Sequence, residues 1–171
     1  MQLRTLTAIC ILAAAISSPA YAGSFSAGIS ITEDVSPDNT GMRVYPGAVP
    51  VMKKKGDSES ANIQFSFGDY GLKVVVAKLR SDDAPGMVGA FYRNELAQFG
   101  TVLDCGNADE AKAARAKDKK SKALICDSDK PQKRGMLYKA GNRDDQHIVE
   151  IKSVGEGSAF SLVHVVVRSP E

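Results

Sequence analysis

The sequence predicts an α+β fold, an antiparallel sheet with one main helix (about residues 84–99) packed on a face. Three patterns indicate this class. From Ala61 onward apolar residues alternate with polar ones, as in strands with one buried face. Residues 84–99 instead place their apolar residues at helical spacing. After Gly100 short strand-like segments return with turn residues between them, which is typical of strands grouped in one sheet.

The first 22 residues have the layout of a secretory signal peptide. Arg4 precedes an apolar run from Leu6 to Ile16, and Ala20-Tyr21-Ala22 supplies the small residues of a cleavage site. The apolar run is too short for a membrane-spanning helix. We therefore expect cleavage after Ala22 and a periplasmic or secreted location in a bacterium.

Removing 22 of the 171 residues leaves 149, the size of one domain. We expect a flexible leader over 23–41, which is rich in Gly, Ser, Asn, Asp and Thr, and a single domain over 42–171. Without Arg4 the chain has 21 basic and 20 acidic residues, a net charge of +1. Bulk charge therefore does not favour nucleic acid as a partner, and no other segment is long enough to span a membrane.

The first elements of the domain are a turn and a hairpin. The two prolines of Val44–Pro50 hold the backbone extended on either side of a turn at Gly47. A strand from Ala61 to Phe67 precedes the turn Gly68–Gly71, and a second strand runs from Leu72 to Leu79. This order predicts a β-hairpin.

The predicted helix has start and stop signals at its ends. Asp82 and Asp83 can cap the free amides of its first turn, where Pro85 is also favoured. Gly100 suits the left-handed position after its last turn. Its apolar positions are Val88, Phe91, Tyr92, Leu96 and Phe99.

Five short strands are predicted after the helix. They are Thr101–Cys105, Ala123–Cys126, Gly135–Lys139, His147–Lys152 and Ala159–Arg168. The segment 107–121 is rich in Ala, Lys and Asp, and its composition is compatible with either an exposed helix or a loop.

Two cysteines remain after signal cleavage, because Cys10 lies inside the signal peptide. In an oxidising compartment Cys105 and Cys126 are expected to form a disulfide. A redox pair is the alternative, but such pairs usually occur as C-x-x-C at a helix start, and this spacing differs.

The last hairpin predicts that the two histidines of the chain face each other. A two-residue turn at Gly155 and Glu156 sets the register, and a slip by one residue would place polar residues opposite apolar ones. The resulting partners are Ile151 with Phe160, Val149 with Leu162, and His147 with His164.

Two facing imidazoles can bind a metal or act as a pH-sensitive pair. The other interpretation is that His147 and His164 are ordinary sheet residues at the end of the core. Asp144 and Asp145 are near in sequence as further ligands, but no H-E-x-x-H spacing is present.

Two surfaces are candidates for binding a partner. On the helix, Tyr92 is expected to be half exposed. The segment 112–122 has six basic residues and one acidic residue, which suits a polyanion but also suits a solvated loop. Its candidate binding residues are Arg115, Lys117, Lys119, Lys120 and Lys122.

The search for catalytic motifs favours a protein that is not an enzyme. The sequence has no G-x-S-x-G motif, no evident serine–histidine–carboxylate arrangement and no glycine-rich phosphate loop. Paired carboxylates such as Asp82-Asp83 and Asp144-Asp145 occur at turn-like positions, where capping explains them. We therefore assign no catalytic residues and expect no cofactor.

Three motifs occur in order along the chain: Tyr45-Pro46-Gly47-Ala48, then Ser81–Pro85 leading to Phe91–Leu96, and finally Gly157–Leu162. In these motifs the chain resembles a group of uncharacterised exported bacterial proteins with a "YPGA" start and an "FYR-x-x-L" helix. The resemblance implies a small α+β envelope domain and no known activity. We expect a non-enzymatic binding or interaction module with an unknown envelope partner; the alternative is a metal-binding or metal-dependent protein that uses His147 and His164.

Overall fold

An antiparallel sheet with one main helix dominates the structure, a computed structural model that describes residues 27–33, 36–51, 60–115, 122–126 and 135–169. The described part is mainly β and is consistent with the predicted α+β class. The predicted signal peptide, residues 1–22, lies outside the described residues.

Eight strands lie in the described part of the chain: β1 Ala27–Glu33, β2 Val49–Pro50, β3 Ser60–Phe67, β4 Tyr70–Ser81, β5 Leu103–Asp104, β6 Met136–Gly141, β7 Asp145–Val154 and β8 Gly157–Arg168. Seven of them form one sheet in the order β1-β3-β4-β8-β7-β6-β5, and β2 pairs with β4. The two helices are α1, Pro85–Leu96, and α2, Ala108–Arg115.

Both predicted hairpins are present. In the first, β3 and β4 pair up to Phe67 opposite Tyr70. In the second, β7 and β8 have the predicted register, with His147 opposite His164 and the turn between Val154 and Gly157. The apolar residues of β7 and β8 hold this register, because a slip by one position would move all of them to the other face of the sheet.

Helix α1 packs on one face of the sheet, against β6, β7 and β8. Val88, Tyr92 and Leu96 are four residues apart, so they share one side of the helix, and all three are fully buried. Gly89 allows the helix to approach β6 closely, since a Cβ atom there would lie 2.8 Å from the Met136 sulfur. The helix begins at Pro85 and continues into a 3-10 turn over Ala97–Phe99, which agrees with the predicted bounds.

The predicted capping by Asp82 and Asp83 is wrong. The residue before the helix is Ala84, and no side chain bonds to the free amides there. Asp83 instead accepts a hydrogen bond from the Tyr45 hydroxyl at 2.7 Å. A long-range partner thus takes the carboxylate that the local sequence offered to the helix.

The segment before β2 is tied to α1 by a buried carboxylate. Glu95 is only 4% exposed. Its Oε1 accepts from the Arg43 amide at 3.0 Å and from Gln98 Nε2 at 2.8 Å, while its Oε2 accepts from Arg43 Nε at 2.8 Å. The hydrogen bond from the Arg43 side chain is the main reason that the pKa of Glu95 is lowered.

The prediction of a flexible leader over 23–41 is wrong for its described residues. Residues 27–33 form β1, which pairs with β3 along its whole length, from Ala27 opposite Phe67 to Glu33 opposite Ala61. A 3-10 turn over Pro37–Thr40 follows, and Thr40 is fully buried. Composition suggested disorder here, but Ile29 and Ile31 alternate with small residues and fit a strand.

Two of the strands predicted after the helix also differ. Ala123–Cys126 is not a strand, and Ala123 makes only an isolated bridge with Asn142. The predicted strand Thr101–Cys105 is reduced to the two residues of β5, which pairs with β6. Within 107–121 the helical alternative holds for Ala108–Arg115.

Replacing Glu95 by glutamine tests the buried carboxylate. Glu95→Gln keeps the shape but loses the charge-assisted bonds, so we expect the free energy of unfolding at pH 7 to fall by about 2 kcal/mol. Because the pKa is lowered in the folded chain, the carboxylate stabilises above its ordinary value of 4.5 and this contribution is lost as the pH falls through the folded-state pKa. Urea unfolding at several pH values should therefore show the wild type and the variant converging in acid.

The matched control is Glu156→Gln, the same substitution in the exposed β7–β8 turn. It should change the free energy of unfolding by less than about 0.5 kcal/mol. Equal stabilities of the wild type and Glu95→Gln at pH 7 would show that the Arg43–Glu95 contact does not hold the segment to the helix.

Candidate functional site

The two histidines lie in a stack of three rings at the end of the helix-covered face. His147 on β7 and His164 on β8 have ring centroids 4.2 Å apart and planes 17° from parallel. Phe99, in the turn after α1, lies on the other side of His147 at 3.5 Å, with an interplanar angle of 7°. His147 is therefore held between an aromatic ring and a second imidazole.

Asp145 completes a cluster with the two histidines. It precedes His147 by two residues on β7, so both side chains leave the same face of the sheet. Asp145 Oδ1 lies 2.8 Å from His164 Nε2 and 3.8 Å from His147 Nδ1. Asp144, the other aspartate near in sequence, faces elsewhere: its Oδ2 lies 2.9 Å from Lys122 Nζ.

His147 is buried without a complete set of polar partners. The residue is 5% exposed, and its Nδ1 has no hydrogen-bond partner within the described part of the chain. Burial, and then the adjacent His164, lower the pKa of His147 to about 4, while Asp145 acts in the opposite direction. The ring is therefore neutral at physiological pH.

The supposed leader contributes to this site. Gly41 follows the 3-10 turn with a φ of 76°, and a Cβ atom at this position would lie 3.3 Å from His147 Nε2. A glycine thus allows the backbone to turn close to the imidazole. This contact was not predicted, because glycine in a polar segment suggested flexibility.

The structure joins Cys105 and Cys126 in a disulfide, the predicted pair, with Cα atoms 5.4 Å apart. Both cysteines are buried in a small cluster with Ala111 of α2 and Leu137 of β6. Since Leu137 pairs with Glu150 and points away from α1, this cluster lies on the opposite face of the sheet. The bridge therefore fixes α2 to that face.

The prediction that Tyr92 is half exposed and binds a partner is wrong. Tyr92 is fully buried, and its hydroxyl accepts a hydrogen bond from the Tyr45 amide at 3.1 Å. Burial also raises its pKa strongly. The side chain shares the inward side of α1 with Val88 and Leu96, as the four-residue spacing implies.

The basic segment is only partly described. Arg115 is the last residue of α2, and Lys117, Lys119 and Lys120 lie outside the described residues. Lys122 is exposed and forms the ion pair with Asp144. The proposal that these residues bind an anionic partner therefore stays a prediction.

The structure contains a candidate surface that the sequence did not predict, on the sheet face opposite α1. Strand pairing aligns its apolar residues in rows that cross four strands. One row is Ile29, Phe65, Leu72 and Val167, and the next is Ile31, Ile63, Val74 and Val165. We call this surface, together with Phe67 and Tyr70 at its end, the apolar face.

The large side chains of the apolar face are exposed to solvent. Seven of them are 37–71% exposed: Ile29, Ile31, Phe65, Phe67, Tyr70, Leu72 and Val167. The cluster around the disulfide covers the same face only over β6 and β7, where Leu137 and Ile148 pack against it. The alternation from Ala61 to Phe67 was predicted to turn apolar residues into the core, and this is wrong because α1 packs on the other face.

No helix within the described ranges is long and apolar enough to cross a membrane. No protein-family model, curated protein or solved structure matches the chain. The expected resemblance to an exported bacterial family therefore stays a prediction, and the side chains themselves must carry the functional argument.

Removing the disulfide tests its contribution to the fold. For cysteines 21 residues apart, the double variant Cys105→Ser/Cys126→Ser should lose about 3 kcal/mol of unfolding free energy, because the open loop gains entropy in the unfolded chain. Chemical unfolding of the chain that begins at Gly23 measures this loss, and reductant added to the wild type should reproduce it. Two free thiols in the unreduced wild type would contradict the bridge.

Proposed function

We propose that this chain is a non-enzymatic interaction module exported to the bacterial envelope, and that the apolar face is its docking surface. The signal-peptide layout of residues 1–22 and the disulfide support the location. The partner that we propose is a second copy of the chain, packed face to face.

The exposure of seven large apolar side chains on one side of the sheet carries this proposal. Taking roughly 200 Å² for a large apolar side chain, they present about 700 Å² of apolar surface. The largest apolar patch of a typical monomer is about 300–600 Å², whereas a standard protein interface buries about 800 Å² on each partner. The apolar face is therefore large for an isolated chain and close to what a stable dimer needs.

The regular rows of the face suit a copy of itself. A two-fold axis places the same patch on both partners, and two sheets can pack about 10 Å apart with their side chains interleaved. The axis that centres the rows of Leu72 and Val74 also pairs opposite charges. Asp69 in the β3–β4 turn and the exposed Lys78 lie about equally far from this centre along β4, so each meets the other's counterpart in the second copy.

Mass measurement of the purified mature chain in solution tests the proposal. We expect a dimer at micromolar concentration and a monomer for the double variant Ile29→Ser/Phe65→Ser, because polar side chains remove much of the apolar area. The matched control is Gln64→Ser, on the same strand but on the other face, which should leave the dimer intact. Thermal unfolding of the double variant shows whether the monomer stays folded.

A charge exchange tests the arrangement of the two copies. Lys78→Asp should weaken the dimer, since it would face Asp69 of the second copy, and adding Asp69→Lys should restore it. A wild type that is monomeric at about 100 μM would overturn self-association. Flotation of such a monomer with lipid vesicles would replace the second copy by a membrane surface as the partner.

A further inference from the structure

We propose that Asp145, His147 and His164 form a binding site for one transition-metal ion, with Zn²⁺ as the representative ion. Two imidazole nitrogens and one carboxylate oxygen are donors that suit zinc, nickel and copper better than calcium or magnesium. This site lies on the helix-covered face and goes beyond the docking surface proposed above.

The three donor atoms are already close to one another. They all lie within 4.8 Å, and this is the only group of three or more such residues found in the described ranges. A metal about 2.0–2.1 Å from each donor in a tetrahedral site needs donors about 3.4 Å apart. The measured separations of 2.8 and 3.8 Å from Asp145 Oδ1 lie on both sides of that value.

The unpartnered nitrogen of His147 points independently to a missing ligand. Its side chain is 6% exposed, and Nδ1, which has no hydrogen bond among the described residues, faces the Asp145 carboxylate at 3.8 Å. That distance is too long for a hydrogen bond, and a buried nitrogen left unbonded is unfavourable by about 1–3 kcal/mol. A metal ion held between Nδ1 and the carboxylate supplies the missing interaction.

The protonation state of the cluster fits a metal ligand. Metal binding requires a neutral imidazole, and the low pKa of His147 leaves its ring neutral at physiological pH. At 2.8 Å from a carboxylate, which only accepts, His164 Nε2 carries a proton. This proton has to leave Nε2 before the atom can bind a metal, either to Nδ1 of the same ring or to solvent.

Coordination also requires a movement of one ring. In stacked imidazoles the nitrogen lone pairs run side by side and do not meet at one point. His147 is fixed against Phe99, whereas the His164 side chain is 18% exposed and Asp145 is 53% exposed, so this edge of the cluster is open to solvent. The metal therefore enters beside Asp145, and His164 turns out of the stack to meet it.

Zinc titration of the mature chain by calorimetry tests the site. The protein is prepared without a histidine tag and treated with a chelator, since a tag would bind zinc itself. We expect one Zn²⁺ per chain, and at least about tenfold weaker binding in His164→Gln and Asp145→Asn. The matched control is Asp144→Asn, the neighbouring carboxylate outside the cluster, which should bind zinc as the wild type does.

Two further measurements keep the outcome clear. His147→Phe removes both nitrogens but can keep the stack on Phe99, so it should lose zinc binding while circular dichroism shows a folded chain. The visible absorption of bound Co²⁺ should change in Asp145→Asn, since a ligand atom is replaced. Ile29→Ser/Phe65→Ser should bind zinc normally, which separates this site from the proposed dimer.

No zinc binding by the wild type at about 1 mM metal, a concentration that detects even sites with weak millimolar affinity, would overturn the proposal. Undiminished binding in His164→Gln together with Asp145→Asn would also overturn it, because zinc would then be bound elsewhere on the chain.

Discussion

The register of the β7–β8 hairpin is the constraint on which the rest of the structure depends. Side chains alternate between the faces of a strand, so a two-residue turn at Gly155 and Glu156 decides which residues of both strands face α1. In the observed register Val149 and Leu162 are opposite each other and buried under the helix. The same parity places His147 beside His164, and it turns Val163, Val165 and Val167 to the other face.

The cover on the helix face is made of two pieces of chain, and the histidines lie where these pieces meet. Helix α1 covers β6, β7 and β8, and the segment around Thr40 packs against β4 and β8. Glu95 joins the two pieces through Arg43. Phe99 from the first piece and Gly41 from the second then approach the same imidazole, that of His147, and bury it at the edge of the core.

Prediction from sequence succeeded where a short-range pattern determines the result. The turn residues and apolar spacing were enough for the pairing of His147 with His164 and for the bounds of α1. It failed where the answer depends on contacts between distant segments. Alternation around Phe65 gives the period of a strand but not which face receives the helix, and the burial of Tyr92 depends on the distant Tyr45 amide. Asp145 was a ligand candidate by nearness alone, and only the shared strand face separates it from Asp144.

A sheet that is apolar on both faces requires cover on both faces. On the face opposite α1, helix α2 and the Cys105–Cys126 bridge cover the strands at one end, β6 and β7. The helix lacks a broad apolar stripe and packs mainly through Ala111, so the bridge contributes what packing alone does not. Over β1, β3, β4 and β8 the described residues contain no equivalent of this helix and bridge. Isoleucine and phenylalanine at such positions favour strand formation but leave apolar area in water, and a surface supplied from outside the chain resolves this conflict.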